Sequence, residues 1–371
     1  MIRILHSVSN MDRAGIETML MNYYRHIDRT KIQFDFLCNK EKPGAYDDEI
    51  RALGGRIFHT PGLNPLKYPK YLRYMRKLFS EYPEYRIVHT HNGAFGAYAL
   101  HAAKKNKIPV RIFHAHGASI AKDLKYPLKL FCRARLPKCM TEHYTCGVDS
   151  AVCYFGKKVV AAGDYVFIPN AIAIDRFLFN SETREKIRME NGLADKHVVG
   201  HVGNYTLPKN HMFLLEIFAD FKKKDPKACL VLIGGGERME DVKKKAQELG
   251  IFDSVRFMGS LSNVNEWYQA FDVFVMPSLR EGLPVVGVEA QAADLPCIFS
   301  KSVTKEIGIL EKTRFVGLEE DRSQWVKAIE DALNNSQRTN VRDMITAHGY
   351  DIETEAKKLQ ERYFKLLGEK A

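Results

Sequence analysis

Short apolar runs alternate with longer amphipathic segments along most of the chain. This alternation is typical of βαβ units, in which parallel strands are connected by helices. In the first half, amphipathic helices are predicted at Ile16–His26 and Ala94–Lys105. The strands of this half are predicted at Ile2–Val8, Gln33–Cys38, Arg56–His59, Ile87–His91, Val110–His114, His143–Gly147 and Val166–Ile168.

A second α/β series follows Pro169–Leu193, a stretch without a strong strand signal that we interpret as a linker. A long amphipathic helix is predicted at Asp351–Leu367. The chain is therefore predicted to be α/β, with two Rossmann-like, doubly wound parallel-sheet domains at 1–175 and 176–350. The strands of the second series are predicted at Val198–Gly203, Cys229–Ile233, Val255–Met258, Val273–Met276 and Cys297–Ser300.

The composition is that of a globular protein, with 371 residues of which 45% are hydrophobic and 27% charged. No apolar run approaches the ~18 residues of a membrane-spanning helix, and the first residues lack the apolar core of a signal peptide. A cytoplasmic location is therefore expected, with the seven cysteines reduced. Four of them recur every seven residues, but without the closely spaced pairs of structural zinc sites, so we interpret the spacing as chance. These four are Cys132, Cys139, Cys146 and Cys153.

Positive charge is concentrated in the first half. Residues 1–170 contain 27 Lys and Arg against 14 Asp and Glu, a net charge of +13, whereas the remainder has 29 against 31, a net charge of −2. Much of the excess lies in Lys67–Lys77 and Lys122–Lys138, where basic residues alternate with aromatic and aliphatic ones. Such segments suit an anionic membrane surface, although a solvated helix face gives the same pattern.

The segment with the strongest chemical signal is Pro277–Ala290, directly after the strand Val273–Met276. Ligands of open α/β sheets bind beyond the carboxyl ends of the strands. Pro284 suits the first turn of a helix, whose backbone N–H groups can meet a pyrophosphate. Glu289, further along that helix, could accept hydrogen bonds from ribose hydroxyls. Taken alone, the segment fits a charged loop before a helix equally well.

The paired glutamates Glu281 and Glu289, eight positions apart, form an E-x₇-E motif within this segment. With the preceding Pro-Ser and the following Glu289–Pro296, the motif resembles retaining glycosyltransferase family 4, which has the GT-B fold with two domains facing a central cleft. Three further segments, Ala14–Glu17, Ile168–Phe177 and Val202–His211, resemble this family in the same order. The likeness is strongest to members that make bacterial exopolysaccharide and capsule, and it implies that the C-terminal helix at about 351–371 joins the first domain.

The resemblance assigns roles to individual residues. It implies that His116 and Glu281 lie at the reacting sugar, while Lys209 binds the donor phosphates. No Asp-x-Asp tripeptide occurs, so no metal and no other cofactor are expected at the diphosphate. The donor-binding residues that the resemblance and the local pattern predict are Gly15, Gly203, Asn204, Lys209, Gly235, Ser278, Gly282, Leu283, Pro284 and Glu289.

Two histidine pairs end predicted strands, His89 with His91 and His114 with His116. Members of a pair two residues apart face the same side of a strand. His116 matches the family's histidine near the reacting sugar, whereas the other three are interpreted as hydrogen-bonded polar residues at strand ends. A metal site built from the four is geometrically possible but lacks an obvious ligand of another type.

Two positions depart from the family pattern. Asn204 stands where family members have an arginine that binds phosphate, and Asp294 stands where they have glycine before Leu-Pro. The first change weakens the expected phosphate clamp. The second places a side chain at a turn, although Asp tolerates left-handed backbone better than most residues.

The function expected from these features is metal-independent, retaining hexosyl transfer in surface glycan synthesis. The donor would be a nucleotide-sugar, with UDP favoured, and the acceptor a saccharide or a polyprenyl-diphosphate-linked saccharide at the inner membrane face. The transferred sugar, the linkage and the oligomeric state are not determined by the sequence. Three alternatives are a sugar-nucleotide epimerase, an inactive scaffold suggested by Asn204, and a nucleic-acid binder, for which no recognition motif is present.

Overall fold

The computed structural model describes residues 1–117, 119–335 and 337–369, and the chain divides into two compact units. Unit 1 contains Met1–Ala171 together with the C-terminal segment from Ile352, and unit 2 contains Ile172–Asp351. Each unit is built around one parallel sheet. Within the described residues, no helix is both long and apolar enough to cross a membrane.

The sheet of unit 1 has seven strands in the order β3-β2-β1-β4-β5-β6-β7, and all neighbouring pairs are parallel. Its strands are β1 (Ile2–Val8), β2 (Ile32–Cys38), β3 (Ile57–His59), β4 (Tyr85–Thr90), β5 (Val110–Ala115), β6 (Glu142–Thr145) and β7 (Val166–Phe167). Its helices are α1 (Gly15–His26), α2 (Asp47–Ala52), α3 (Tyr68–Glu81), α4 (Gly96–Lys105), α5 (Tyr126–Arg135), α6 (Val148–Phe155), α7 (Lys157–Ala161) and the terminal α15 (Ile352–Leu366).

The terminal helix α15 packs on the first sheet although 180 residues of unit 2 precede it. Tyr363 of α15 is fully buried, and its hydroxyl lies 2.8 Å from Nδ1 of His89 on β4. Its ring also meets Phe34 of β2 edge to face, at 6.1 Å between centroids. Strands β1 and β2 are buried at every position, as expected of strands that are covered on both faces of a parallel sheet.

The sheet of unit 2 has six parallel strands in the order β10-β9-β8-β11-β12-β13. Its strands are β8 (His197–Val202), β9 (Ala228–Ile233), β10 (Val255–Phe257), β11 (Val273–Met276), β12 (Cys297–Ser300) and β13 (Thr313–Val316). Its helices are α8 (Ser181–Glu190), α9 (His211–Lys224), α10 (Met239–Glu248), α11 (Val264–Ala270), α12 (Val285–Ala292), α13 (Arg322–Asn334) and α14 (Arg342–Ala347).

Together, the two sheets confirm the predicted fold class. The observed strands differ from the predicted ones mainly by one or two residues at their ends, except for β13, which the sequence pattern did not reveal. Helix α8 lies inside the segment interpreted as the linker. It begins with a side-chain cap, because Oδ1 of Asn180 accepts a hydrogen bond from the Thr183 amide at 2.7 Å.

A buried ion-pair network fastens α8 to the second sheet. The carboxylate of Asp272, just before β11, contacts Arg184 and lies 3.1 Å from Nη1 of Arg188. It also accepts a hydrogen bond from the Val198 amide of β8 at 2.7 Å. Burial alone would raise the pKa of Asp272, but the two guanidinium groups outweigh burial and hold the pKa below its ordinary value.

We expect Asp272→Asn to lower the free energy of unfolding by about 3–5 kcal/mol, because it leaves two partly buried guanidinium groups without their counter-charge. Urea unfolding of unit 2, followed by tryptophan fluorescence, measures the effect. Asp253→Asn is the matched control, since Asp253 is exposed. An unfolding curve for Asp272→Asn that overlays that of the control would contradict this account of α8.

Candidate active site

The strand order in each sheet reverses at one point, and that point locates the candidate sites. In unit 2 the reversal lies between β8 and β11, and in unit 1 between β1 and β4. At such a switch point the connecting loops diverge and leave a crevice beyond the strand ends, where ligands bind. The predicted donor segments Val202–His211 and Pro277–Ala290 follow β8 and β11 directly.

The two loops of unit 2 are hydrogen-bonded to each other. The Leu279 amide donates to the Pro208 carbonyl at 2.8 Å, and Nδ2 of Asn210 donates to the Pro277 carbonyl at 3.1 Å. Asn210 adopts left-handed backbone with φ of 57°, between a 3₁₀ turn at Leu207–Lys209 and helix α9. The loops therefore form one connected surface at the switch point.

Lys209 and Glu281 meet on this surface. Nζ of Lys209 lies 2.7 Å from Oε1 of Glu281, and each side chain is 18% exposed. Gly203 leaves room for the lysine stem, because a Cβ there would lie 3.2 Å from both Cδ and Cε of Lys209. The arrangement places a half-buried cation and a half-buried carboxylate side by side, so either can exchange its partner for a ligand group.

The turn Gly234–Gly236, which contains Gly235, packs against the loop after β8. Gly234 and Gly236 have φ of 152° and 144°, and a Cβ on Gly234 would lie 2.1 Å from the Gly203 carbonyl oxygen. The Tyr205 amide also donates to the Gly235 carbonyl at 2.8 Å. Glycine is required here both for the backbone conformation and for the close approach of the two loops.

Helix α12 carries Glu289 as its fifth residue. Pro284 stands one position before this helix, with φ of −74° and ψ of 118°, and not in its first turn as the sequence suggested. Oε2 of Glu289 accepts a hydrogen bond from the hydroxyl of Tyr268 at 2.8 Å. Burial raises the pKa of Glu289 to about 7, against the opposing effect of Tyr268 and of the Arg176 charge.

The remaining predicted residues of unit 2 have different surroundings. Ser278 is fully buried, and within the described part of the chain its hydroxyl has no hydrogen-bond partner, while its carbonyl accepts from Oγ of Ser300 at 2.5 Å. The side chain of Leu283 lies in the hydrophobic core of unit 2. Gly282 is half-buried on the loop before α12, and Asn204 is exposed on the loop after β8.

Asp294 has a structural role that accounts for its departure from the family glycine. Its φ is 53°, in the left-handed region. Its buried carboxylate accepts from the Thr339 amide at 2.6 Å and pairs with Nζ of Lys312 at 2.8 Å. The Asp294 side chain thus fixes the segment before α14. Glycine would give the backbone more conformational freedom but could not make these contacts.

The two remaining site candidates belong to unit 1. Gly15 is the first residue of α1, and a Cβ there would meet nothing within 4 Å, so the helix start is open on that side. His116 follows β5, with Nε2 lying 2.9 Å from Nδ1 of His91. Nε2 of His91 in turn lies 3.0 Å from Nδ1 of His6 on β1, a residue that the sequence analysis did not single out.

The two basic stretches fold differently from each other. Lys67–Lys77 lies largely in α3, whose Tyr71 and Met75 are fully buried, while Tyr68 and Tyr74 are partly buried against the core of unit 1. Lys122–Lys138 contains α5 and does expose apolar side chains. These are Leu124, Leu130 and Phe131, with relative exposures of 103%, 38% and 55%.

Sequence comparison decides the family. Residues 13–176 match the family described as Glycosyltransferase Family 4, and residues 183–350 match Glycosyl transferases group 1. The putative glycosyltransferase EpsF of Bacillus subtilis (strain 168) is 35% identical over 360 residues, which cover 95% of this chain and 93% of EpsF. The chain belongs to glycosyltransferase family 4. It is a glycosyltransferase with relatives in polysaccharide biosynthesis.

Two further similarities concern this glycosyltransferase over nearly its whole length. The Escherichia coli UDP-Gal:alpha-D-GlcNAc-diphosphoundecaprenol alpha-1,3-galactosyltransferase is 24% identical, with 99% of this chain and 97% of that protein covered. The crystal structure of Anabaena Alr3699/HepE in complex with UDP and glucose superposes with a TM-score of 0.80 at 16% identity, covering 98% of this chain and 100% of that one. The latter similarity confirms the GT-B fold class.

The sequence did not predict Tyr268 as a site residue. Its hydrogen bond to Glu289 can be tested in the protein without any ligand. We expect Tyr268→Phe to move the carboxyl titration of Glu289 upward from about pH 7, because a hydrogen bond to the charged form lowers the pKa and its loss raises it. The ¹³C chemical shift of the Glu289 carboxyl, assigned with Glu289→Gln, measures this. Tyr205→Phe, which alters a tyrosine outside that contact, serves as control. A midpoint that stays constant or falls in Tyr268→Phe would contradict the assignment.

Proposed function

We propose that this glycosyltransferase moves a hexose from a UDP-sugar to a saccharide or lipid-linked saccharide acceptor in exopolysaccharide or capsule synthesis, with retention of anomeric configuration. The observation that carries the proposal is the contact of Lys209 with Glu281 at the switch point of unit 2. The UDP complex of HepE and the substrate named for the Escherichia coli relative support a UDP-sugar donor and a lipid-linked acceptor.

Unit 2 would hold the donor. Nζ of Lys209 already lies 2.7 Å from a carboxylate oxygen and would exchange that partner for a diphosphate oxygen. Backbone N–H groups at the start of α12 would add hydrogen bonds to the same anion. Glu289, when ionised, would accept hydrogen bonds from the ribose hydroxyls. Because Asn204 replaces the family arginine, Lys209 is the one positive side chain proposed for this clamp. Substitution of Lys209 is therefore expected to weaken donor binding.

Transfer would proceed on one face of the sugar. The bond from the anomeric carbon to the diphosphate breaks, the acceptor oxygen bonds to the same carbon from the same side, and the acceptor proton passes to the departing phosphate oxygen. Lys209 would stabilise the charge that develops on the diphosphate. Glu281, once released from Lys209, would face the sugar, and His116 of unit 1 would contact the reacting sugar and acceptor. We propose that no metal ion takes part at the diphosphate.

The donor site is tested by thermal stabilisation with UDP-, GDP- and ADP-sugars in the presence of EDTA. We expect one nucleotide class, UDP, to raise the melting temperature, and Lys209→Ala to weaken that binding about 10- to 100-fold, since a hydrogen bond to a charged group contributes about 1.5–3 kcal/mol. Glu289→Ala should lose the stabilisation as well. Lys223→Ala, which changes an exposed lysine of the same unit, should bind as the unaltered protein does.

Stabilisation by no nucleotide at millimolar concentration would remove the donor-site assignment and favour the inactive scaffold. Stabilisation by UDP-sugars only after addition of Mg²⁺ would instead contradict the metal-independent clamp. Equal binding by Lys209→Ala and Lys223→Ala would exclude Lys209 as the phosphate ligand.

Unit 1 would attach to an anionic membrane surface that carries the acceptor. A cavity of about 650 Å³ lies beside α3, α4 and α5, so it adjoins both basic stretches. Its lining includes Tyr68, Tyr98, Leu128 and Phe131, with Arg135 and Lys138 among the basic residues at its walls. The exposed Phe131 and Leu130 stand next to these cations, a combination suited to the boundary between headgroups and acyl chains.

We expect the protein to float with vesicles that contain phosphatidylglycerol and not with phosphatidylcholine alone, and added salt should weaken the attachment. Arg135→Ala/Lys138→Ala should lower the partition coefficient roughly tenfold or more, because each basic residue near an anionic surface contributes about 1 kcal/mol. Lys223→Ala/Lys224→Ala, two exposed lysines of unit 2, is the matched control. Equal flotation of both double variants would contradict the proposed surface.

A further inference from the structure

Five histidines gather at the carboxyl ends of three adjacent strands in unit 1. His6 lies on β1, His89 and His91 lie on or just after β4, and His114 and His116 lie on or just after β5. His91 is the centre of the group, 3.0 Å from His6 and 2.9 Å from His116 between ring nitrogens. The rings of His114 and His116 stack with centroids 4.0 Å apart.

Several of these nitrogens are buried and unsatisfied. Neither Nδ1 nor Nε2 of His114 has a hydrogen-bond partner among the described residues, and the same holds for Nε2 of His6 and of His89. His114 is only 1% exposed. Buried polar atoms without partners are rare, and a bound ion is one of the recognised explanations.

We propose that His91, His114 and His116 bind one divalent transition-metal ion of the zinc class. Each offers one ring nitrogen that lies within 4.8 Å of the other two. A tetrahedral zinc site with Zn–N distances of 2.0–2.1 Å places its nitrogens about 3.4 Å apart, so adjustments of the ring positions suffice. An all-imidazole set favours zinc, copper or nickel over magnesium and calcium.

A second trio, His6, His89 and His91, meets the same distance criterion but is a poorer site. All three of its members are at most 3% exposed, whereas His116 is half-buried and opens the preferred trio to solvent. That opening gives the ion a path of entry and a fourth position for water. His6 then has an outer role, because its Nδ1 lies 3.0 Å from Nε2 of His91, whereas Nδ1 of His91 faces His116 and would bind the ion.

The ligands of this site belong to unit 1, whereas Lys209 of the proposed donor clamp belongs to unit 2. The ion would use the imidazole of His116, the residue proposed to contact the reacting sugar. Because of this shared residue, binding of the metal ion is measured in the absence of donor and acceptor. The result then does not depend on whether the transfer proposal is correct.

The test uses the full-length protein, stripped with a chelator and dialysed, and titrated with Co²⁺. We expect one Co²⁺ per chain with the visible d–d absorption of a nitrogen-ligated tetrahedral site, displacement by Zn²⁺ and no displacement by Mg²⁺. His114→Gln should weaken Co²⁺ binding by more than about tenfold. His348→Gln, which changes an exposed histidine of unit 2, should bind as the unaltered protein does.

His116→Gln provides a second ligand variant at a half-buried position, in case His114→Gln does not fold, and circular dichroism checks the fold of each. Substoichiometric Co²⁺ uptake by the unaltered protein would overturn the proposal. Unchanged binding by folded His114→Gln or His116→Gln would also overturn it. Loss of binding in His89→Gln with retention in both of these variants would move the site to the second trio and contradict the ligands assigned here.

Discussion

The reversal of strand order between β8 and β11 is the constraint on which the candidate donor site depends. Because these parallel strands are neighbours while their connecting helices lie on opposite faces, the loops after them diverge from one point. Hydrogen bonds from Leu279 to Pro208 and from Asn210 to Pro277 then fix the two loops to each other. Residues separated by some seventy positions in sequence, Lys209 and Glu281, are thereby brought into contact.

The two glutamates of this site differ in their electrostatic environments. Glu281 is paired with a lysine, whereas Glu289 is half-buried on α12 and accepts a hydrogen bond from a tyrosine hydroxyl. Desolvation raises the pKa of Glu289 to about 7, so near neutral pH it is present in both protonation states. A ligand that donates hydrogen bonds to the charged form would favour ionisation, which couples ligand binding at this carboxylate to proton release.

Much of the architecture follows from the sequence pattern, because buried strands of parallel sheets are continuous apolar runs. Strand β13 could not be predicted in this way, because Thr313–Val316 is a short edge strand that carries an exposed arginine. The motif around Glu281 and Glu289 indicates the candidate site, but Tyr268 could not be found in this way. Its contact with Glu289 arises only when α11 and α12 pack together, and no local pattern marks it. The same applies to His6, which resembles any polar residue on a strand until β1 is placed beside β4.

Asp294 shows how a departure from a family pattern can be structural. Its left-handed backbone alone would suggest strain, yet the carboxylate satisfies a backbone amide and a lysine that glycine could not. Asn204 has no comparable compensation in the described structure, since its side chain is exposed on the loop after β8. In the proposed clamp, phosphate binding therefore depends on Lys209.

The proposed function requires Lys209 to leave Glu281 for the diphosphate of a nucleotide-sugar. The most direct measurement is a crystal structure of the protein in complex with UDP. We expect Nζ of Lys209 within hydrogen-bond distance of a phosphate oxygen, the ribose hydroxyls at Glu289, and no contact between Lys209 and Glu281. UDP bound elsewhere, or bound at the switch point with that contact intact, would contradict it.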